Sequence, residues 1–373
     1  MDATAFFKSI SGKHITFCGI GRSHMPLIEL FQSHGAIVTA RDRRSFQELG
    51  ENGQTLKSLG VGLILGKDYL HCLTEDIIFR TPGMPFHLPE LENARRLGKT
   101  VTSEMEVFFR LCPCRIYAVT GSDGKTTTTT ILSEFLKAQG MTVHLGGNIG
   151  KPLLPEIEAI APDHIVVAEL SSFQLISMRH SPDVAVVTNL APNHLDIHKD
   201  MDEYVDAKKN LILHQDGFSR TVLNADNEIT AGFKGLVRGD CWQFSRKDSP
   251  ERGVFCNGES ILVNGEKLMD MGEIKLPGWH NVENYMAAIA AAWGEVSPEN
   301  MRKVARDFGG VEHRMEFVRE LGGVKYYNDS IASSPSRTIS GTLSCYEENL
   351  ILICGGYDKH IPYAPLGGPI CQR

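Results

Sequence analysis

A glycine-rich segment followed by a lysine and a run of threonines offers the clearest chemistry in this chain. Residues 115–140 read RIYAVTGSDGKTTTTTILSEFLKAQG, which is typical of a strand, a tight loop and a helix. Glycines let backbone N–H groups turn toward a polyphosphate, and the positive helix N-terminus adds to that attraction. Lys125 can neutralise β- and γ-phosphate charge, and the Thr126 hydroxyl can hold Mg²⁺. The alternative is a plain strand-to-helix turn that happens to contain glycine and lysine. We predict ATP contacts from Gly121, Ser122, Asp123, Gly124, Lys125, Thr126, Thr127 and Thr128.

Two further polar residues follow the next apolar strands. Glu169 lies at the end of HIVVAEL, where a carboxylate beside the phosphate-loop strand is well placed to hold Mg²⁺; the alternative is a capping or surface glutamate. His194 follows the next strand, in TNLAPNHLDIH. His194 and His198 also have the spacing of a zinc pair, but no third zinc-type ligand stands out. We therefore expect His194 to bind a second Mg²⁺ beside the reacting phosphate.

Lys208 lies in DEYVDAKKNLIL, a helical stretch. A solvated surface charge is the plain interpretation for both lysines of this stretch, and we accept it for Lys209. A lysine amine that reacts with CO₂ becomes a carbamate, an oxygen ligand suited to Mg²⁺. The sequence alone does not show whether Lys208 does so.

The first 110 residues contain a partial dinucleotide fingerprint. Gly19-Ile20-Gly21 follows a strand and precedes a helix, but His24 stands where a third glycine belongs. Asp42, at the end of the second strand, suits a ribose hydroxyl. These residues alone leave two alternatives, an NAD site or a plain structural glycine turn.

The elements that position these residues indicate an α/β fold. HITFCGIG, a helix over Met25–His34 and AIVTARD alternate as in a doubly wound sheet. HIVVAEL and VAVVTNL continue this pattern after the phosphate loop, and short β segments follow over 221–276. Asn264-Gly265 predicts a type I′ hairpin there. An Ala-rich helix over Val282–Trp293 comes next, and VKYYNDS and NLILICGG are predicted strands of a third block.

We divide the chain into domains at 1–110, 111–298 and 299–373. A closing α/β domain needs about 100–150 residues. We therefore expect that the third domain is incomplete and that the chain is truncated at its C-terminus.

Composition excludes several classes of protein. Lys+Arg number 38 and Asp+Glu 45, a net charge of −7, which argues against a broad basic surface for nucleic acid. The N-terminus lacks a signal-peptide core, and no apolar run reaches the length of a membrane span. The nine cysteines include no CxxC pair, which favours reduced thiols in a cytoplasmic protein.

The phosphate loop departs from the general GxxxxGK[ST] pattern, because Val119 occupies the first glycine position. Its shorter TGxxGKTT form resembles that of the Mur ligases and folylpolyglutamate synthases. Five further segments, spread over the whole chain, resemble the D-glutamate-adding branch of the Mur ligases. They are TPGMP (81–85), TSEMEVFF (102–109), GGNIG (146–150), ELSSFQL (169–175) and YNDSIASSP (327–335).

The resemblance implies a fold, a reaction and its ligands. The fold is the three-domain Mur ligase architecture: a Rossmann-like domain, a P-loop ATPase-like domain with a small β region, and a partial Rossmann-like domain. The reaction joins D-glutamate to UDP-N-acetylmuramoyl-L-alanine at the expense of ATP, through an acyl phosphate, in peptidoglycan precursor synthesis. It implies two Mg²⁺ ions and a cytoplasmic enzyme, which we expect to be monomeric.

The resemblance also assigns roles to residues. It implies a carbamylated Lys208 and metal binding by Thr126, Glu169, His194 and Lys208, with Lys125 among the catalytic residues. His280-Asn281, Asn284, His313-Arg314 and Asp329 match the family's ATP-contacting positions. The UDP-substrate contacts that it implies are Gly19, Ile20, Gly21, Arg22, Ser23, Asp42, Arg43, Gly83 and Asn148.

One departure concerns D-glutamate recognition. The chain reads NDSIASS where relatives often read NDSKATN, so Ile331 replaces a lysine that can pair with the D-glutamate carboxylate. Either another cation, such as Arg337, takes this role or amino-acid recognition is altered. The alternatives are another Mur-type ligase, a folylpolyglutamate synthase, a catalytically incomplete nucleotide-binding fragment, and a dehydrogenase that uses the first block.

Overall fold

The computed structural model describes residues 2–194, 197–332, 335–344, 348–356 and 363–372. Leu195 and Asp196 of the TNLAPNHLDIH segment, and Ser333 and Ser334 of YNDSIASSP, lie outside the described residues. The chain forms two compact units. The first comprises Met1–Lys125 and Gly140–Trp242, and the second comprises Thr126–Gln139 and Gln243–Arg373.

A parallel five-stranded sheet opens the first unit, in the order β3-β2-β1-β4-β5. Helices separate most of its strands, because each parallel connection must cross over the sheet, while β3 and β4 follow each other without a helix. The elements are α1 (Ala3–Ile10), β1 (His14–Cys18), α2 (His24–Ser33), β2 (Ile37–Asp42), α3 (Phe46–Leu49), α4 (Glu51–Ser58), β3 (Gly62–Leu65), β4 (Ile77–Arg80), α5 (Pro89–Arg96), β5 (Thr100–Thr102) and α6 (Glu104–Leu111). The predicted strands and helix of this block are confirmed.

Parallel strands in the order β10-β9-β6-β8-β7 carry the phosphate loop in the same unit. After β6 (Arg115–Thr120) comes α7 (Lys125–Ala138), which belongs to the second unit from Thr126 onward. The first unit resumes with β7 (Val143–Gly147), a 3₁₀ turn (Leu154–Ala159), β8 (Ile165–Glu169), α8 (Ser172–Leu175), β9 (Val184–Val187), α9 (Met201–Leu213), β10 (Arg220–Asn224), α10 (Glu228–Ala231) and a 3₁₀ turn (Gly232–Leu236). β8 and β9 are buried along their whole length, as expected for strands covered on both faces. One apolar core runs from Phe6 to Phe233 and joins this layer to the first sheet.

Most of the β segments predicted from the sequence lie in the second unit, which begins again at Gln243 within β11 (Asp240–Ser245). β11 pairs in parallel with β12 (Gly253–Cys256), and β13 (Ser260–Val263) and β14 (Glu266–Asp270) follow antiparallel. Asn264 and Gly265 have φ angles of 50° and 86°, which confirms the type I′ hairpin, since that turn needs positive φ at both central residues. The Ala-rich helix is α11 (Trp279–Ala292), preceded by a 3₁₀ turn (Met271–Glu273).

The last part of the second unit begins with α12 (Pro298–Asp307) and the antiparallel pair β15 (Glu316–Leu321) and β16 (Val324–Asn328). α13 (Pro335–Thr338), a π-helical turn (Ile339–Leu343) and α14 (Ala364–Cys371) complete it. β16 confirms the strand predicted at VKYYNDS, but the strand predicted at NLILICGG is wrong, because residues 349–356 form neither strand nor helix. Ile351 and Ile353 are 90% and 93% exposed, so burial of their side chains does not stabilise a strand at this position.

No helix within the described ranges combines the length and the apolar character that crossing a membrane requires. The eight cysteines that the structure describes are free thiols.

Candidate active site

The phosphate loop is a compact turn between β6 and α7. The Lys125 ammonium folds back and donates to the carbonyl oxygens of Gly121 and Ser122, each at 3.0 Å. Asp123 donates its backbone N–H to Asn189 Oδ1 at 2.9 Å, and the Thr188 hydroxyl donates to the Asp123 carbonyl at 2.6 Å. The segment after β9 therefore holds the loop in shape.

Gly121 is required by close approach as well as by backbone conformation. Its φ is +150°, and a Cβ at this position would lie 1.9 Å from Thr188 Oγ1. Any side chain would push the loop away from the strand end that fixes it. This agrees with the interpretation of the glycines as loop-forming residues.

Glu169 ends β8 directly beside the strand that leads into the loop. In the parallel pairing Val119 is opposite Glu169, which is 2% exposed. Asn148 donates its side-chain amide to Glu169 Oε1 at 2.7 Å and its backbone N–H to the Glu169 carbonyl at 2.8 Å. The structure thus joins the GGNIG turn to the predicted metal-binding carboxylate.

Lys208 reaches the same loop from the middle of α9. Its amine donates to the Gly121 carbonyl at 2.9 Å and to Thr120 Oγ1 at 3.1 Å, and the residue is 2% exposed. Burial, followed by the nearby Lys125 charge, holds the pKa of Lys208 well below its ordinary value. The surface interpretation fits Lys209 instead, which pairs with Asp206 at 2.7 Å.

His194 lies on the exposed loop after β9, with a φ of +56°. Its ring contacts Phe173 edge-on at 5.2 Å between centroids. His198 is buried, and its two ring nitrogens lie 2.8 Å from Ser172 Oγ and 3.1 Å from Glu203 Oε2. Both nitrogens of His198 are therefore already engaged with protein groups.

The turn after β1 is also held together by its own side chains. Asp42 accepts the Ile20 N–H at 2.7 Å and bonds to Arg44. Burial raises the pKa of Asp42, but the hydrogen bonds from Arg44 and Ile20 outweigh it and lower that pKa overall. Gly19 has a φ of +90°, and a Cβ there would meet Thr81 Cγ2 at 2.6 Å.

The other predicted UDP contacts differ in exposure. Arg22, Arg43, Gly83 and Asn148 are exposed, and Gly21 and Ser23 are half-buried.

His24 fills the position of the missing third glycine. It is fully buried, and its Nδ1 lies 2.7 Å from the Gly19 carbonyl. Burial lowers the pKa of His24 from 6.5 to about 4, so the ring is neutral and donates from Nδ1 at neutral pH. The imidazole thus fixes the turn by a hydrogen bond where a glycine would fix it by close packing.

The second unit groups the remaining predicted ATP contacts. Thr128 is fully buried and donates to Asn284 Oδ1 at 3.2 Å, while Asn281 donates to the Pro277 carbonyl at 2.7 Å. Asp329 accepts the Met315 N–H at 3.1 Å. Burial and the Arg314 charge lower the pKa of His280, and Asp329 opposes them, so these three side chains share one electrostatic environment.

Sequence reasoning missed several residues that shape these sites. Thr188 and Asn189 hold the phosphate loop, and Tyr204 lies 2.8 Å from Ser122 Oγ through its hydroxyl. Arg44, and not the predicted Arg43, bonds to Asp42. Thr188 and Asn189 directly follow an apolar strand and Glu169 ends one, so a polar residue at a strand end is the signal that could have found them.

Comparison with known proteins gives relatives along nearly the whole chain. Residues 119–292 match the family described as the Mur ligase middle domain. A protein of Clostridium kluyveri named UDP-N-acetylmuramoylalanine--D-glutamate ligase is 52% identical over 96% of this chain and 78% of its own length. One of the same name from Acetivibrio thermocellus is 51% identical over 99% of this chain and 80% of its own length.

Solved structures show a related fold. The UDP-N-acetylmuramate-alanine ligase MurC of Thermotoga maritima has a TM-score of 0.56 at 21% identity, covering 89% of this chain and 77% of that chain. The UDP-N-acetylmuramate:L-alanyl-gamma-D-glutamyl-meso-diaminopimelate ligase from Neisseria meningitides has a TM-score of 0.57 at 20% identity, covering 81% and 100%. At such identities the likeness establishes the fold.

Proposed function

The chain belongs to the UDP-N-acetylmuramoylalanine--D-glutamate ligase family, and we propose that it joins D-glutamate to UDP-N-acetylmuramoyl-L-alanine with ATP. This step belongs to peptidoglycan precursor synthesis. The observation that carries the proposal is the meeting of Glu169 and Lys208 at the phosphate loop, in a chain half identical to those relatives.

The reaction balances in two steps. The substrate carboxylate attacks the γ-phosphorus of ATP, the bond to the β-phosphate oxygen breaks, and an acyl phosphate and ADP form. The amine of D-glutamate then attacks the acyl carbon, loses a proton, and expels phosphate. Phosphoryl transfer depends on alignment and charge neutralisation. Lys125 would supply a cation to the phosphates, supported by its position at the loop carbonyls.

The oxygen donors of Thr126, Glu169 and a carbamate on Lys208 fit Mg²⁺, a hard cation that prefers oxygen ligands, and His194 would add one imidazole nitrogen. Thr126 and Glu169 would hold one ion, and His194 and a carbamate on Lys208 the other. Mg²⁺, when bound, neutralises charge on the transferred phosphoryl group. The buried Lys208, whose lowered pKa favours a neutral amine, supports carbamate formation: its nitrogen bonds to the carbon of CO₂ and releases one proton.

The UDP-substrate would lie along the turn after β1, supported by the N-terminus of the ten-residue helix α2. Gly19, Ile20, Gly21, Arg22 and Ser23 would face the diphosphate. Asp42 and Arg43 would lie near the nucleoside, and Gly83 and Asn148 near the acyl end. Asn148 supports this assignment, because its bond to Glu169 links the acyl end to a proposed metal ligand.

The remaining assignments concern the nucleotide and the domains. Asn281, Arg314 and Asp329 would contact ATP, and residues 299–373 would bind D-glutamate. We retain the division into domains at 1–110, 111–298 and 299–373. We also propose a monomeric enzyme in the cytoplasm, where ATP is available.

The test is phosphate release from ATP and Mg²⁺ by the 373-residue chain, with UDP-N-acetylmuramoyl-L-alanine and with or without D-glutamate. Release that requires both substrates supports the ligase. Calorimetric binding of ATP and the UDP-substrate without release would show a nucleotide-binding chain that does not complete the reaction. Failure to bind the UDP-substrate would contradict the assignment.

A further inference from the structure

Arg80 is a buried arginine between two loops that the proposed function uses. It is the last residue of β4, directly before the TPGMP segment, and is 1% exposed. Its Nη2 donates to the Phe173 carbonyl at 2.9 Å and to Ser177 Oγ at 3.0 Å, and its Nη1 lies 3.5 Å from the Met84 carbonyl. One guanidinium therefore bonds to the TPGMP loop and to the segment that follows Glu169.

The charge of Arg80 is balanced by Glu106 through the intervening Ser177 hydroxyl. Ser177 accepts from Arg80 and donates to Glu106 Oε2 at 2.8 Å. Burial lowers the pKa of Arg80 to about 10, and Glu106 opposes this effect, so the guanidinium stays protonated at neutral pH. A buried charge is costly unless it is hydrogen-bonded, which makes this position sensitive to replacement.

Phe173 carries the connection onward. Its backbone carbonyl accepts from Arg80, and its ring stacks on His198 at 5.0 Å with an interplanar angle of 5°. The same ring contacts His194 at 5.2 Å. Fixing the backbone of Phe173 thus fixes the surface against which both imidazoles pack.

We propose that Arg80 is a positioning residue that couples the TPGMP loop to His194 through Phe173. This inference rests on the proposed function, in which Gly83 contacts the UDP-substrate and His194 binds Mg²⁺. Arg80 itself touches neither ligand. Its role is to hold the TPGMP loop and the His194 imidazole at a fixed position relative to each other.

Arg95 provides a matched control. Its guanidinium carbon lies 3.9 Å from the centroid of the Phe86 ring, and the guanidinium carbon of Arg80 lies 5.3 Å from the same centroid. Arg95 donates to the Phe86 carbonyl at 3.1 Å. Arg95→Met therefore removes an arginine from the same cluster without removing a bond to Phe173 or Ser177.

Hydrogen exchange of the ligand-free protein tests the coupling independently of activity. In Arg80→Met we expect faster exchange both at residues 81–87 and at 172–178. In Arg95→Met we expect faster exchange near Phe86 alone. Unchanged exchange at 172–178 in Arg80→Met would overturn the inference. Arg80→Lys and Ser177→Ala, which remove fewer bonds, give the same comparison if Arg80→Met does not fold.

Kinetics then separate positioning from general damage. Misplaced supporting groups typically cost about 10-fold to 100-fold in activity, so we expect Arg80→Met to raise the KM for UDP-N-acetylmuramoyl-L-alanine and lower kcat by that order. The KM for ATP should stay near that of the unaltered chain, and Arg80→Lys should recover part of the loss. An equal rise in both KM values would indicate a merely structural role. If the unaltered chain releases no phosphate, the proposed function fails, while the exchange experiment still decides whether the two loops are coupled.

Discussion

The Lys208 amine lies 2.9 Å from the carbonyl oxygen of Gly121, so a lysine from the middle of a helix reaches the first turn of the phosphate loop. Its hydrogen-bond acceptors there are neutral oxygens of the loop, Gly121 O and Thr120 Oγ1. Burial, together with the nearby Lys125 charge, makes this ammonium give up its proton more readily than one in water. The amine is thereby suited to react with CO₂ next to the site of phosphoryl transfer.

Lys208→Ala should lower kcat for phosphate release by about 100-fold or more, because it removes both the amine and its carbamate from the loop. The control is Lys209→Ala, which removes the neighbouring lysine that pairs with Asp206 at the surface. This control should retain nearly full activity, since surface ion pairs contribute little. Equal activities for the two variants would contradict the assignment of Lys208.

Gly121→Ala should destabilise the protein by about 1–3 kcal/mol and weaken ATP binding, because the added Cβ would overlap Thr188 Oγ1. The control is Gly235→Ala, where a Cβ meets nothing within 4 Å. That substitution should leave ATP binding intact and change stability by a fraction of this amount. Denaturant unfolding measures the change in stability, and calorimetry measures the affinity for ATP. Unchanged ATP affinity in Gly121→Ala would show that overlap with Thr188 does not disturb the phosphate loop.

His24 should make stability depend on pH. Its pKa is about 4 in the folded protein and about 6.5 when unfolded, so the unfolded state binds the extra proton between these values. The stability is therefore complete above pH 6.5, and about 3 kcal/mol of it is lost as pH falls toward 4. His24→Leu should flatten this part of the curve of unfolding free energy against pH. Identical slopes for both proteins between pH 6.5 and 4 would show that His24 does not cause the decline.

Arg337 is our candidate for the cation that binds the D-glutamate carboxylate in place of the lysine that Ile331 replaces. Arg337→Ala should raise the KM for D-glutamate by about 10-fold to 100-fold, the loss expected for a charged hydrogen bond. The KM values for ATP and the UDP-substrate should stay near those of the unaltered chain. Arg302→Ala, a substitution on α12, is the control. A D-glutamate KM that is unchanged in Arg337→Ala would assign the carboxylate to another group.

Local patterns in the sequence determined much of this protein. The alternation of apolar strands with helices predicted the parallel sheets, because burial on both faces leaves a continuous apolar run. The TGxxGKTT segment and the Asn264-Gly265 turn predicted their backbone shapes, since both depend on residue types a few positions apart. Segments spread over the whole chain likewise indicated the family that the comparisons then established.

Contacts between residues distant in sequence were decided by the tertiary structure alone. The burial of Lys208 against Gly121 joins positions 87 residues apart, and the bond from Arg80 to Phe173 joins positions 93 apart. The apolar stretch NLILICGG shows the converse, because strand propensity without burial did not produce a strand. Desolvation and hydrogen-bond partners are properties of the folded surroundings, so the pKa values of Lys208 and His24 could not be predicted from their neighbours along the chain.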